Sequence, residues 1–314
     1  VGVFVFLPLV LPLTALPIAR LAELHLHPRT AARLLTVLSV VMGVCSTLCL
    51  GLLGVIGTAQ IPGNPLPDSW SAPQVRDVVP FHEAVGFGSI ALLCAVAVAC
   101  GATLGRHLRV RRRLRHALAA VPHERDVAVL PDRTPYAYAL PGRPGRVVAS
   151  SAMAAGLAPD EYRALLAHER AHLTHRHHRI LLATRLASRV NPFLRPLQAA
   201  VAFGAERWAD EEAAEAVGDR RLTARAVANA ALLSHRAGGP QTPPGLAAFA
   251  APGPVPRRVA ALLGPVPAAD GWPPAHSPAG LAAMVAAAGT AASALSAVNA
   301  AVALLLVLKA ATPL

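Results

Sequence analysis

The chain of 314 residues carries 29 Lys and Arg against 17 Asp and Glu, a formal charge of +12, yet only 15% of its residues are charged and 54% are hydrophobic. With a mean hydropathy of +0.47, that balance excludes a disordered polyelectrolyte and argues against an ordinary water-soluble globule; it favours a membrane protein. Cys45, Cys49, Cys94 and Cys100 all fall in apolar stretches, so they read as small packing residues and imply no disulfide framework.

The apolar residues are gathered into four runs. Residues 1–18 form the first, which Pro8, Pro12 and Pro17 would bend. Residues 34–59 form the cleanest, with no charge; residues 85–105 lie between Glu83 and Arg106; residues 281–308 stay uncharged until Lys309. Each reaches the length of ~18 residues expected of a spanning helix. Charge between the runs sets orientation. The first connection carries Arg20, Arg29 and Arg33, the second only Arg76, and the third run is followed by Arg106, Arg109, Arg111, Arg112, Arg113 and Arg115. By the positive-inside rule the first connection and the segment after the third run are cytoplasmic. The sequence therefore predicts an N-terminal membrane region over 1–105 with three spans, a cytoplasmic domain over 106–280, and a fourth span with a short tail over 281–314. The basic flanks make anionic membrane lipid an expected partner. No direct nucleic-acid binding is expected, since no helix-turn-helix or aromatic-basic pattern accompanies Arg111, Arg112 and Arg113.

Within residues 106–280, β-prone runs at 127–130, 136–140 and 146–149 flank the turn residues Pro141-Gly142-Arg143-Pro144-Gly145, which predicts a hairpin. Its edge can take a substrate as an added strand. Pro159-Asp160-Glu161 then starts a helix with Tyr162, Leu165, Leu166 and Leu173 on its apolar face. This helix carries His168-Glu169-Arg170-Ala171-His172. His-Glu also occurs at His82-Glu83 and His123-Glu124, but only the third pair has a histidine four positions after its first. Positions four apart share a helix face, so both imidazoles can bind one metal, with Glu169 beside them as general base.

A zinc protease needs a third protein ligand and an open position. Glu206 on the next Ala-rich helical stretch can be that ligand. Asp210, one turn further, can accept a proton from the far nitrogen of a ligand histidine. The competing reading makes both of them ordinary exposed charges, like Glu211, Glu212 and Glu215. His178, ten positions after His168, is a rival third ligand. That arrangement needs the helix to break at His175, and no breaker lies between Leu173 and Leu182. His175, Arg176, His177 and His178 then read as the basic end of one continuous helix. Asn191-Pro192 ends the next stretch, residues 238–256 read as loop, and Arg257-Arg258 precedes a short apolar helix.

Residues 164–178 (ALLAHERAHLTHRHH), Asn191-Pro192 and residues 206–210, preceded by residues 138–151 (YALPGRPGRVVASS), resemble the membrane-embedded zinc metallopeptidases of the BlaR/MecR type. These are gluzincins, also similar to the HtpX and CAAX prenyl protease group. The resemblance implies an α-helical integral membrane protein with four transmembrane helices and an inserted α+β zincin-like cytoplasmic metalloprotease domain. It implies one Zn2+ on His168, His172 and Glu206, with Glu169 as base and Asp210 behind a ligand. Tyr138, His235 and Arg258 are candidate oxyanion helpers, Arg258 resembling an arginine of the HtpX group's late motif. The expected role is cleavage of a protein or peptide substrate, such as a transcriptional repressor, on the cytoplasmic side of a bacterial plasma membrane. The alternatives are an HtpX-like quality-control protease of membrane proteins and a non-proteolytic metal-binding sensor. The β-lactam sensors of that family continue into a penicillin-binding domain; with no Ser-x-x-Lys motif here, that sensor domain is expected to be lacking.

Overall fold

The computed structural model describes residues 5–76, 82–118, 121, 126–238, 254–267, 274 and 276–311. His123 and most of the loop expected over residues 238–256 lie outside them. The main helices are α1 (Leu7–His25), α2 (Pro28–Thr58), α3 (His82–Ala117), α4 (Pro159–Thr174), α5 (His177–Val190), α6 (Arg195–Val217), α7 (Arg220–Arg236), α8 (Val255–Leu263) and α9 (Pro278–Ala311). Of these, α1, α2, α3 and α9 are long and apolar enough to cross a membrane. α2 starts before the apolar run at residue 34, and α3 continues past residue 105, because backbone hydrogen bonding does not stop where apolar side chains do.

The prolines bend α1 as expected, tightening Leu11–Thr14 into a 3-10 turn. Pro12 has no N–H for the carbonyl of Pro8. Ser46 of α2 supplies the missing donor, its hydroxyl donating to that carbonyl at 2.9 Å. Asn191 then donates to both the Leu9 carbonyl and the Ser46 hydroxyl, each at 3.1 Å. A bend written by one proline is thus closed by two polar side chains from elsewhere.

Asn191 caps the turn between α5 and α6, and its position reveals how the chain is arranged. The expected boundary at residue 106 is one of sequence, whereas in space the α5–α6 hairpin reaches back among the spans. Ala187, Leu194, Leu197, Ala200 and Val201 share one buried apolar cluster with residues of α1 and α2, Leu35, Leu38 and Met42 among them. Small residues permit the approach. A Cβ on Gly43 would lie 3.2 Å from that of Ala187.

The expected hairpin is present. β2 (Ala137–Leu140) pairs antiparallel with β3 (Arg146–Ser150), with Tyr138 opposite Val148. β1 (Val127–Leu130) joins β3 in parallel on the other side, so the order β1-β3-β2 leaves β2 at an edge. Leu118, Tyr138, Leu140 and Val148 pack beneath it.

α4 begins at Pro159, where Glu161 accepts from the Ala158 amide at 3.4 Å and from Asn229 at 3.0 Å. Its end corrects the sequence reading. The helix does not run on through the histidines: it stops at Thr174, Arg176 adopts left-handed backbone with φ 53°, and α5 starts afresh at His177. A non-glycine residue costs about 1–2 kcal/mol there, which the packing of α5 against α2, α3 and α6 offsets.

α2 and α3 touch backbone to backbone at Gly57 and Gly86, where a Cβ on Gly86 would lie 2.6 Å from the Gly57 Cα, whereas one on Gly88 would meet nothing within 4 Å. Gly86→Val should therefore lower the thermal unfolding midpoint in detergent well below that of Gly88→Val, which carries the same intrinsic helix cost. Equal midpoints would show that the contact does not hold the two helices.

Candidate metal centre

Five elements converge on one buried cluster. α4 contributes His168, Glu169 and His172, α6 contributes Glu206 and Asp210, α8 contributes Arg258, α5 contributes His177, and β2 lies alongside. Helical spacing brings the Nε2 atoms of His168 and His172 to 3.1 Å. Glu206 faces both, its carboxylate oxygens 3.6 Å from His168 Nε2 and 3.5 Å from His172 Nε2. Among the described residues these three form the group able to hold a metal ion. Zinc bonds of about 2.0–2.1 Å place neighbouring donors of a tetrahedron about 3.3–3.4 Å apart, so the spacing found here fits. Two imidazoles and one carboxylate also match the donor set of catalytic sites that keep a position open.

Behind these atoms lies a charge network. Asp210 Oδ1 is 3.0 Å from His168 Nδ1, though not aligned as a hydrogen bond. Arg258 donates to Asp210 through Nε at 2.8 Å and Nη2 at 2.6 Å. Its Nη1 lies 2.9 Å from Glu206. Burial would push both carboxyls up, but the Arg258 guanidinium, with the histidines, holds them below the usual carboxylate range. Burial would likewise depress His168, yet Asp210 and Glu206 outweigh it and raise that imidazole to about 10. The cluster thus draws positive charge to the point where the two Nε2 atoms meet. His172 behaves oppositely: burial lowers it to about 4, so it is a neutral imidazole. Burial also pushes the Glu169 carboxyl up to about 7, opposed by His168, Arg258 and a backbone hydrogen bond from Ala139 of β2.

The candidate oxyanion helpers are placed apart. Tyr138 lines a cavity of about 140 Å³ with His107, Arg111, Glu169, His172 and His178. Burial pushes its phenol up to about 12, so it stays a hydrogen-bond donor. His235 lines a second cavity of about 920 Å³ on the other side of His168 and Glu169, with Met153, Leu165 and Val255. Arg258 is turned onto the two carboxylates. His178, despite the helix break, stands outside the three-donor group.

Sequence reasoning missed His177. It is fully buried, and its Nδ1 lies 2.8 Å from Nδ1 of His172. No periodic signal marks it, because it lies beyond a break that the sequence does not announce. Trp208, one turn before Glu212, was also unread. It packs on His175 and His177 at 4.4 and 4.7 Å, with Arg33 5.0 Å away, and donates to Glu212 at 2.9 Å.

The family model Peptidase family M48 matches residues 106–204, which includes the HExxH segment and supports a metallopeptidase. The match ends before Glu206, so it does not bear on Glu206, Asp210 or Arg258. No curated protein and no solved structure matches the chain.

Removing Arg258 would leave two buried carboxylates without their cation. Arg258→Met should cost on the order of 3–5 kcal/mol, read as a lower denaturation midpoint in detergent. An unchanged midpoint would show that the carboxylates are neutralised by other means.

Proposed function

We propose that the chain is a membrane-bound zinc metalloendopeptidase acting on protein substrates at the cytoplasmic face of a bacterial plasma membrane. The observation that carries this reading is the meeting of His168 Nε2, His172 Nε2 and Glu206 beside the carboxyl of Glu169. The M48 match over the same segment supports it. His168, His172 and Glu206 are the proposed zinc ligands. When bound there, the ion would polarise the scissile carbonyl and lower the pKa of water beside it.

The remaining work belongs to the chain's own groups. Edge strand β2 takes the substrate as an added strand through its backbone. Ala137, Tyr138 and Ala139 of that strand line the cavity that holds Glu169. Glu169, held near neutrality by burial, takes a proton from the attacking water and returns it to the leaving amine. The Tyr138 phenol, which lines the cavity shared by Glu169 and His172, is the donor assigned to the developing oxyanion, and Asp210 holds the ring of His168.

Depth supports a site at the membrane face. From the Gly57–Gly86 contact, Ser46, which Asn191 contacts, lies eleven residues along α2, about 16 Å at 1.5 Å per residue, or about half of a hydrocarbon layer of ~30 Å. Arg33, whose guanidinium reaches Trp208, lies about 36 Å along α2, and His107, which lines the Glu169 cavity, lies about 32 Å along α3. With the Gly57–Gly86 contact taken as the far face of the layer, both lengths support a site just past it, on the side of the arginine cluster 106–115. Regulatory cleavage of a repressor, as the BlaR/MecR-like layout suggests, is one use of such a site. This depth equally favours a quality-control protease acting on membrane proteins, whose exposed segments emerge at that level.

Glu169→Gln should keep its zinc and lose cleavage of a general protein substrate by about 10²–10⁴-fold, whereas His168→Ala should lose both. Metal analysis and proteolysis in detergent check this. Wild-type protein without zinc would refute the reading.

A further inference from the structure

Two imidazoles meet behind the metal-facing nitrogen of His172, and the chemistry of that contact has a direction. His172 Nδ1 and His177 Nδ1 are 2.8 Å apart, a hydrogen-bond distance at which one nitrogen carries the proton and the other accepts it. A neutral imidazole carries one N–H and one lone pair. One proton therefore sits between the two Nδ1 atoms, and it has two possible owners.

If His177 owns it, His172 carries its own proton on Nε2. That N–H would point at His168 Nε2, 3.1 Å away, and His172 would have no lone pair to offer a cation. If His172 owns it, the Nε2 lone pair of His172 faces Glu206 and His168, and the remaining proton of His177 sits on its Nε2. That atom is buried and has no hydrogen-bond partner. Only the second arrangement is competent to ligate.

We propose that His177 is a positioning residue for the metal, accepting the Nδ1 proton of His172 so that the Nε2 lone pair of His172 is presented to the ion. This inference rests on the metal reading above. Its geometry is held from several sides. The left-handed turn at Arg176 starts α5 at His177 and returns the ring beneath His172. The Trp208 ring at 4.7 Å and His175 at 5.8 Å wall it in, and no part of the residue is exposed. His168 is served differently, since its far nitrogen faces Asp210 at 3.0 Å. A carboxylate has no proton of its own and can only accept, whereas His177 accepts in one tautomer and donates in the other. His177 can therefore follow either tautomer of His172, and a cation at Nε2 requires the one in which His177 accepts.

The test compares zinc affinity of the full chain in detergent, by competition with a chromophoric chelator, for wild type, His177→Phe and His177→Asn. Phenylalanine keeps a ring against Trp208 but removes the acceptor; asparagine gives up the ring but offers a carbonyl oxygen near the place of Nδ1. His177→Phe should bind zinc about 10–100-fold more weakly, with the metal-free melting temperature close to wild type, and His177→Asn should recover most of the loss. Wild-type affinity in His177→Phe overturns the inference, as does an equal loss in both variants, which would mark His177 as packing alone. Wild-type protein that takes up no zinc overturns the metal reading and this inference together, so the two failures are distinguishable.

Discussion

Two carboxylates one turn apart on α6 must lie in the interior, and much of the site's arrangement follows from neutralising them. Glu206 and Asp210 are nearly fully buried, and an uncompensated buried charge is strongly destabilising. Arg258 answers both, with a bidentate pair on Asp210 and a third contact on Glu206. That requirement fixes α8 against α6, although 40 residues of chain separate the end of α6 from Arg258 in sequence, and it brings the imidazole of His168 to the other side of Asp210. The same network that stabilises the fold at this point also shifts the protonation of His168, Glu206 and Asp210.

How much of this the sequence discloses depends on whether the information is local. The HExxH helix is legible because its two histidines are one turn apart and its start is marked by Pro159-Asp160-Glu161. The four spans are legible because hydrophobic length is a local property, and the hairpin because Pro141 to Gly145 can only turn. Glu206 and Asp210 stand out by their spacing, yet nothing local separates them from Glu211 and Glu212, which are also near histidines or arginines in space. Burial makes the distinction, and burial is tertiary.

The break at Arg176 is the clearest illegible feature. Its residues carry no glycine, proline or asparagine, and a helix continuing through them would place His175, His177 and His178 in register with α4. The left-handed turn exists because two packed surfaces demand it: α4 must face β2 and α6, while α5 must descend between α2 and α3. The descent is equally hidden. Ala187, Leu194, Leu197 and Val201 look like one side of ordinary amphipathic helices, and only the glycines and alanines of the spans, Gly43 and Ala32 among them, show why those helices can approach so closely. Asn191 completes that approach by donating to the Leu9 carbonyl, 182 residues away in sequence, and to Ser46.

Charge conservation within the cluster links these features to chemistry. With Glu206 and Asp210 ionised and Arg258 cationic, the buried groups carry one net negative charge, and a proton on His168 balances it. A dication held at the Nε2 atoms, as proposed above, would compete for that same position and leave one positive charge over. Ionisation of Glu169, whose carboxyl burial raises to about 7, would restore the balance, so the ion and the basic form of Glu169 would favour each other. A neutral residue at 177 would preserve this coupling, because a carboxylate behind His172 would supply the missing negative charge itself and leave Glu169 free to stay protonated. The two histidines of one helix turn have different neighbours, Asp210 behind His168 and His177 behind His172, and on the proposed reading the anionic one would draw the cation in while the neutral one would leave Glu169 to balance it.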